Sequence, residues 1–195
     1  MVNLGCRKKM KNKFKIFIVF IGCLLFRLLP FRAPNVEPIM ASLMPIGKKY
    51  GAWLGFAFGF LSIFLYDLLT HFGSWTWMVG ITYGLVGVAS FFYFQKFKAS
   101  IFNFAIFAFF ATIIFDFITG VLFAPMFGQT MSSAFILQIP FTALHLAGNI
   151  GFALTLSPIL NKWLVVENKL STDSLKFVSD GVIIYNKDIG FIIKF

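Results

Sequence analysis

The sequence predicts an all-α integral membrane protein with six transmembrane helices and both termini in the cytoplasm. Of its 195 residues, 59% are hydrophobic, only 12% are charged and 29 are Phe, a usage typical of polytopic membrane proteins. Long apolar runs alternate with short segments rich in Pro, Gly or Lys, as expected for helices joined by loops. The net charge is +10, but the basic residues flank the apolar runs. This charge therefore indicates membrane orientation, and we expect no nucleic-acid partner.

Composition divides the chain into three parts. Residues 1–15 form a basic N-terminal segment, which the positive-inside rule places in the cytoplasm. Residues 16–163 form the six-helix membrane domain, and residues 164–195 form a more polar cytoplasmic tail. The tail has two apolar-rich runs around residues 186–188, which are compatible with a short hairpin. Two strands alone are marginal in water, so pairing with a partner, contact with the membrane and disorder are the alternatives, and the tail is assigned no function.

The first helix is predicted over about residues 14–29. Its basic start resembles a signal peptide, but no small-residue cleavage site follows, so we expect the helix to be retained. Pro30, Pro34 and Pro38 forbid a continuous helix and predict an extended outer loop. The second helix begins at about Pro38, and we expect it to be short and interrupted by Pro45.

The short second helix determines the topology of everything after it. If it crosses the membrane, 15 of the 17 basic residues lie inside, and only Arg27 and Arg32 lie at the outer side. If it does not cross, the rest of the chain inverts and nine lysines face outward. The positive-inside rule therefore favours six crossings in the cytoplasmic membrane.

The other four helices follow from apolar runs near the length needed to cross a bilayer, about 20 residues. Short loops separate them, two of them outer, and we expect Trp75 and Trp77 to lie at interface level in the first outer loop. The predicted helices cover residues 51–70, 78–94, 101–124 and 133–160, and the outer loops cover 71–77 and 125–130.

Small residues form a stripe on the third helix. Gly51, Gly55 and Gly59 recur every fourth residue, so a neighbouring helix can approach closely. That neighbour can belong to the same chain or to a partner subunit.

The third and fifth helices end in similar sequences. SIFLYDLLT (62–70) matches ATIIFDFIT (111–119), with Asp67 and Asp116 in register. Each repeat unit would be a helical hairpin. The similarity between the two segments comes either from an ancestral duplication or from a chance match in a Phe-rich chain.

Both aspartates are predicted to lie near the outer leaflet. Asp67 follows Lys49 by eighteen residues, and Asp116 follows Lys98 by the same number. At about 1.5 Å per residue, each carboxylate lies roughly 27 Å from the inner face. A carboxylate in a membrane span is costly, so each is expected to bind a ligand. The alternatives are that they hydrogen-bond between helices and that Asp67 or Asp116 pairs with Arg27.

The sixth helix has the best-defined polar constellation. Gln138, Thr142, His145 and Asn149 follow i, i+4, i+7 and i+11, so they share one face. Their alternative role is hydrogen bonding between helices. The predicted substrate pocket combines this face with groups from the helix ends and the Pro-rich loop: Arg32, Asn35, Glu37, Asp67, Trp75, Trp77 and Asp116.

Catalytic and metal-binding motifs are not found in the sequence. There is no nucleophile elbow, no His/Cys ligand spacing and no phosphate-binding loop after a strand. The two cysteines, Cys6 and Cys23, support neither a disulfide framework nor a metal site. We therefore expect no enzyme activity, cofactor or metal, and any ATP-driven transport would need partner subunits.

Three stretches carry a resemblance to a known family. RLLPFRAPNVEPIMASLMPIGKKYGAWLGFAFG (27–59), the helix ends DLLT and DFITG, and QIPFTALHLAGNIGFALTLSPIL (138–160) resemble substrate-binding S components of energy-coupling factor (ECF) transporters. The resemblance spans roughly residues 15–165. It implies a six-helix protein that captures a vitamin or related micronutrient from outside. Its partners would be a transmembrane scaffold subunit and two ATPase subunits that drive uptake.

The resemblance also implies roles for the outer loops. Residues 30–38 would form a lid, and Trp75, Trp77 and His145 would stack on or hydrogen-bond a partly aromatic nutrient. Many S components dock through an alanine-x-x-x-alanine patch on the first helix, but residues 14–30 contain no alanine. The glycine stripe is the candidate docking surface instead. The alternative function is a non-transporting membrane scaffold of similar fold, of the cell-envelope type.

Overall fold

In a computed structural model, the backbone of residues 4–172 forms helices joined by loops. The structure describes this backbone, the side chains of residues 13–164 and four short strands beyond the last helix. The predicted all-α class is confirmed for residues 4–172. The helices are α1 (Leu4–Arg27), α2 (Ile39–Tyr50), α3 (Ala52–Leu69), α4 (Ser74–Lys96), α5 (Ile101–Asp116) and α6 (Met131–Thr172).

The tail contains two antiparallel strand pairs. Strand β1 (Phe177–Val178) pairs with β2 (Gly181–Val182), and β3 (Ile184–Tyr185) pairs with β4 (Ile192–Ile193). Each strand has two residues. The expected hairpin turn at residues 186–188 lies outside the described residues.

Four helical stretches are long and apolar enough to cross a membrane. They are Ala52–Leu69, Ser74–Lys96, Ile101–Leu122 and Met131–Leu164. Between 33% and 44% of each apolar window is buried within the protein, so most of each window faces outward and needs lipid. These stretches indicate a multi-pass membrane protein. Six crossings and the cytoplasmic termini stay predictions.

Helix α2 lies at the centre of the bundle. Every residue from Ile39 to Gly47 is buried, and α2 contacts all five other helices. A helix that is apolar all round belongs in such a core. Pro45 does not divide it, since the helix is continuous over its 12 residues. At about 18 Å, it is shorter than a bilayer core of roughly 30 Å.

The glycine stripe of α3 packs within the chain. A Cβ on Gly55 would lie 2.7 Å from the Gly87 carbonyl oxygen of α4, and one on Gly59 would lie 2.9 Å from the Tyr83 carbonyl carbon. Only glycine allows backbones this close. Gly51 has a different role, because its φ of 100° turns the chain from α2 into α3. Gly55 and Gly59 are therefore occupied by α4 rather than free for a partner.

The helices alternate in direction, which separates the charged groups into two ends of the bundle. Lys15 donates to the Trp163 carbonyl at 2.9 Å, and Lys48 donates to Asn161 Oδ1 at 3.3 Å. We name this the basic end. The opposite end, here named the polar end, holds the ends of α1, α3 and α5 and the loop before α2, with Arg27, Asp67, Asp116 and Glu37.

Several predicted helix boundaries were wrong. Helix α4 begins at Ser74, because Thr76 and the Gly73 backbone N–H form a hydrogen bond that starts the helix. Trp75 and Trp77 therefore lie in the first turn of α4 and not in a loop. The regular α-helix α5 ends at Asp116 and continues as a π-helix over Phe117–Leu122 and a 3-10 turn over Ala124–Phe127.

Candidate functional site

An ion pair ties the Pro-rich loop to the bundle. Arg27 Nε lies 3.1 Å from Glu37 Oε2, and the Tyr83 hydroxyl donates to Glu37 Oε1 at 2.9 Å. The Arg27 guanidinium also stacks on the Tyr66 ring at 3.9 Å. Glu37 is buried, so its charge needs these partners. Arg27 thus pairs with Glu37, and the expected pairing with Asp67 or Asp116 was wrong.

Asp67 joins the end of α3 to the start of α4. Its Oδ2 accepts the Thr76 hydroxyl proton at 2.8 Å, and Thr76 Oγ1 in turn accepts the Gly73 N–H at 3.2 Å. Asp67 is buried and lines none of the cavities described below. This arrangement holds a helix-helix corner together.

Asp116 and His145 form a buried pair between α5 and α6. His145 Nδ1 lies 2.8 Å from Asp116 Oδ1, and each residue is 3% exposed. The Phe115 ring meets the His145 ring edge to face at 5.7 Å. Among the described residues, Asp116 Oδ2 and His145 Nε2 have no hydrogen-bond partner. Asp116 also precedes the π-helix, a distortion found often at functional sites.

A second polar contact lies one helical turn below. Asn149 Nδ2 donates to Thr112 Oγ1 at 2.8 Å, and the Thr112 hydroxyl donates to the Ala108 carbonyl at 2.6 Å. Because the Thr112 proton is committed to Ala108, the oxygen can only accept from Asn149, which sets the orientation of the amide. Asn149 Oδ1 is buried and has no partner in the described part of the chain.

The Asp116–His145 pair lines a cavity of about 320 Å³. Its walls come from α4, α5, the π-helix, α6 and the Pro-rich loop, so five parts of the fold meet there. Aromatic and aliphatic side chains form part of the wall, and amide and hydroxyl groups form the rest. The lining residues are Asn35, Val79, Phe115, Asp116, Thr119, Gly120, Gln138, Phe141 and His145.

The Pro-rich loop closes against α6 beside this cavity. Asn35 has a φ of 61°, and Val36 N donates to the Ala33 carbonyl at 3.2 Å, so the loop turns sharply here. Val36 packs on Gly148, where a Cβ would lie 3.0 Å from the Val36 Cα. This close approach places Asn35 at the cavity wall and Glu37 in the interior.

The other predicted site residues lie elsewhere. Arg32 lines a separate cavity of about 360 Å³ with Arg27, and its Nε donates to the Arg27 carbonyl at 2.9 Å. Trp75 and Trp77 are 43% and 49% exposed. Trp77 lines an outward-facing groove between α4 and α5, of about 660 Å³, and Thr142 lines an apolar cleft between α5 and α6.

The structure thus brings together part of the predicted pocket and adds residues that the sequence did not single out. Asn35, Asp116, Gln138 and His145 meet at one cavity, with Asn149 one turn below. Phe115 and Phe141 are apolar residues in Phe-rich helices, so no sequence signal distinguishes them. Tyr83 could have been found, because a buried Glu37 needs a donor from a neighbouring helix.

Comparisons with known proteins identify no relative, because the chain matches no family model, no curated protein and no solved structure. The resemblance to ECF S components therefore stays a prediction. Within the described residues, no group of three or more His, Cys, Asp or Glu side chains could hold a metal ion.

Proposed function

We propose that this protein is a membrane receptor for a small nutrient, acting as the substrate-binding S component of an ECF-type importer. The cavity beside Asp116 and His145 is the proposed binding site. The observation that carries the proposal is that these two buried residues each leave one polar atom unpartnered, and both line the same cavity.

The energetic argument concerns the cost of leaving such atoms unpaired. A buried polar group without a hydrogen bond costs about 1–3 kcal/mol, and more when it is charged. Proteins are stable by only about 5–15 kcal/mol, so two or three such groups in one place are expensive. A ligand that completes the hydrogen bonds would recover this cost on binding. The convergence of these groups supports a binding site over a purely structural contact.

The shape of the site supports capture of a small molecule. A volume of about 320 Å³ is at the lower end of the range for ligand cavities, which begins near 300 Å³. The cavity lies at the polar end, which the positive-inside rule assigns to the outside. The Pro-rich loop at its wall is the proposed lid.

The proposed partner subunits would supply the energy for uptake. The sequence has no ATP-binding motif, so energy for uptake would come from other subunits. We propose a transmembrane scaffold subunit and two ATPase subunits as these partners, and the cytoplasmic membrane as the location. Because Gly55 and Gly59 are covered by α4, the scaffold would dock on another surface.

Purification in mild detergent tests the proposal. Native mass spectrometry should detect a retained small molecule, and a panel of vitamins should include one that raises the Tm. Asp116→Asn should abolish both effects, whereas the matched Asp67→Asn should keep them. If no molecule is retained and no vitamin raises the Tm, the proposal is wrong and the scaffold function becomes the better account.

A further inference from the structure

The chemistry of the unpartnered atoms restricts what the cavity can hold. An ionised carboxylate only accepts hydrogen bonds. Asp116 lines the cavity, its Oδ1 is occupied by His145 Nδ1, and its Oδ2 is a buried acceptor without a partner in the described part of the chain. Thr119 also lines the cavity, and its hydroxyl proton is committed to the Phe115 carbonyl at 2.8 Å. The Thr119 oxygen is therefore a second acceptor.

His145 follows the same pattern. Beside an ionised Asp116, the imidazole proton lies on Nδ1, because the carboxylate has none to donate. His145 Nε2 has no partner in the described part of the chain. Asn149 Oδ1, one turn below and outside the cavity lining, is another unpartnered acceptor. Among the lining residues, Asp116 and Thr119 thus offer acceptors, and the amides of Asn35 and Gln138 add donors.

The charged residues around the cavity also bear on which ligand it can hold. Asp116 is the one carboxylate among the residues that line this cavity, and no Lys or Arg lines it. Arg27 is neutralised by Glu37, and Arg32 lies at the other cavity. A lining that contains a carboxylate and no Lys or Arg favours a cationic ligand over an anionic one. The Phe115 and Phe141 rings add flat apolar walls, suited to a planar ligand.

From these observations, we infer that the cavity binds a flat nitrogen compound whose N–H groups donate hydrogen bonds to Asp116 Oδ2 and its neighbours, and which carries a positive charge. Amidinium groups and protonated amino-heterocycles have this chemistry. The inference rests on the proposed function, since it takes this cavity to be the binding site, and it names the class of ligand.

Three probes of almost identical shape test the charge preference. Benzamidinium, benzamide and benzoate each have a phenyl ring and a planar head, with charges of +1, 0 and −1. Benzamidinium should raise the Tm of the purified protein and bind at least about tenfold more tightly than benzamide, because charge-assisted hydrogen bonds are the stronger ones. Benzoate should have no effect. Stabilisation by benzoate, or equal effects of all three probes, would overturn the inference.

Two substitutions assign the effect to the site. Asp116→Asn keeps an acceptor for His145 but removes the charge, so the preference for benzamidinium over benzamide should fall to within about threefold. Asp67→Asn is the matched control, because Asp67 is also a buried carboxylate but lines none of the cavities described above, and it should keep the full preference. If Asp116→Asn does not fold, Thr119→Val, which removes the second acceptor of the cavity lining, serves as the second variant and should weaken benzamidinium binding. A preference that survives in the folded variant contradicts the inference.

The outcomes separate this inference from the proposed function. If an anionic molecule is retained in the native mass spectrum and binds in this cavity, the receptor function stands and the inferred ligand class is wrong. If none of the three probes raises the Tm and no molecule is retained, both are wrong.

Discussion

Asp67 and Asp116 occupy equivalent places in two similar nine-residue segments, but the fold gives them different environments. Both are buried carboxylates near the C-terminal end of a helix, at the polar end of the bundle. Asp67 is bonded by Thr76 at a corner between consecutive helices. Asp116 is hydrogen-bonded by His145 of α6, lines a cavity, and has one buried oxygen without a partner in the described part of the chain. The comparison teaches that the repeated sequence places each aspartate at the same position along its helix. The residues of the neighbouring helix then determine whether the carboxylate only joins two helices or also lines a cavity.

The largest expected effect is on ligand binding. Asp116→Asn should lower the affinity for the retained nutrient by about a hundredfold or more, because the cavity loses its charged acceptor. Isothermal titration or radioligand binding measures this. Asp67→Asn should change the affinity by less than about threefold. Equal losses in the two variants would remove the distinction between the aspartates.

The next effect is on stability, and here the substitution at Asp67 should have the larger effect and the one at Asp116 the smaller. Asp67→Ala should lower the free energy of unfolding by about 1–3 kcal/mol, because Thr76 loses its buried partner. Asp116→Asn should cost less than about 1 kcal/mol in the absence of ligand, since Asn still accepts from His145. Thermal or denaturant unfolding in detergent provides the comparison. A larger loss at Asp116 would indicate that it, too, is a structural residue.

A double-mutant cycle sharpens the account of the α3–α4 corner. Thr76→Val should cost about 0.5–1.5 kcal/mol alone and little more when Asp67→Ala is already present, because both changes remove the same hydrogen bond. Additive losses in unfolding experiments would mean that the two residues act independently.

A smaller effect is expected at the Pro-rich loop. Tyr83→Phe removes one of the hydrogen bonds that hold Glu37 and should lower the free energy of unfolding by about 1 kcal/mol. The ligand preference of the cavity beside Asp116 should not change, because neither Tyr83 nor Glu37 lines it. Unfolding and binding measured on the same preparation test both parts. A changed ligand preference would show that the loop contact shapes the site.

The sequence predicted the features that depend on position along one helix. Apolar length located the long helices, and spacing predicted that His145 and Asn149 share one face; both contact α5 in the structure. The Gly55 and Gly59 stripe was also a real contact surface. These features follow from helical periodicity and residue size alone.

Features that depend on how helices are rotated against one another were not predictable. Thr142 shares the spacing of His145 but lines a different cleft. Arg27 pairs with Glu37 and not with an aspartate, because the loop turns inward at Asn35 and brings Glu37 into the bundle. This contact depends on the conformation of the loop, which helical spacing does not reveal. The Trp77 ring packs against Phe side chains of α3 and beyond, since α4 starts a turn earlier than expected.

The most direct measurement of the central claim is an experimental structure of the protein purified with its retained small molecule. The account predicts that the molecule lies between α5 and α6, with a nitrogen within about 3 Å of Asp116 Oδ2, and that no ligand atom contacts Asp67. A molecule bound beneath Arg27 and Arg32 instead, or a cavity that holds only water beside Asp116, would contradict it.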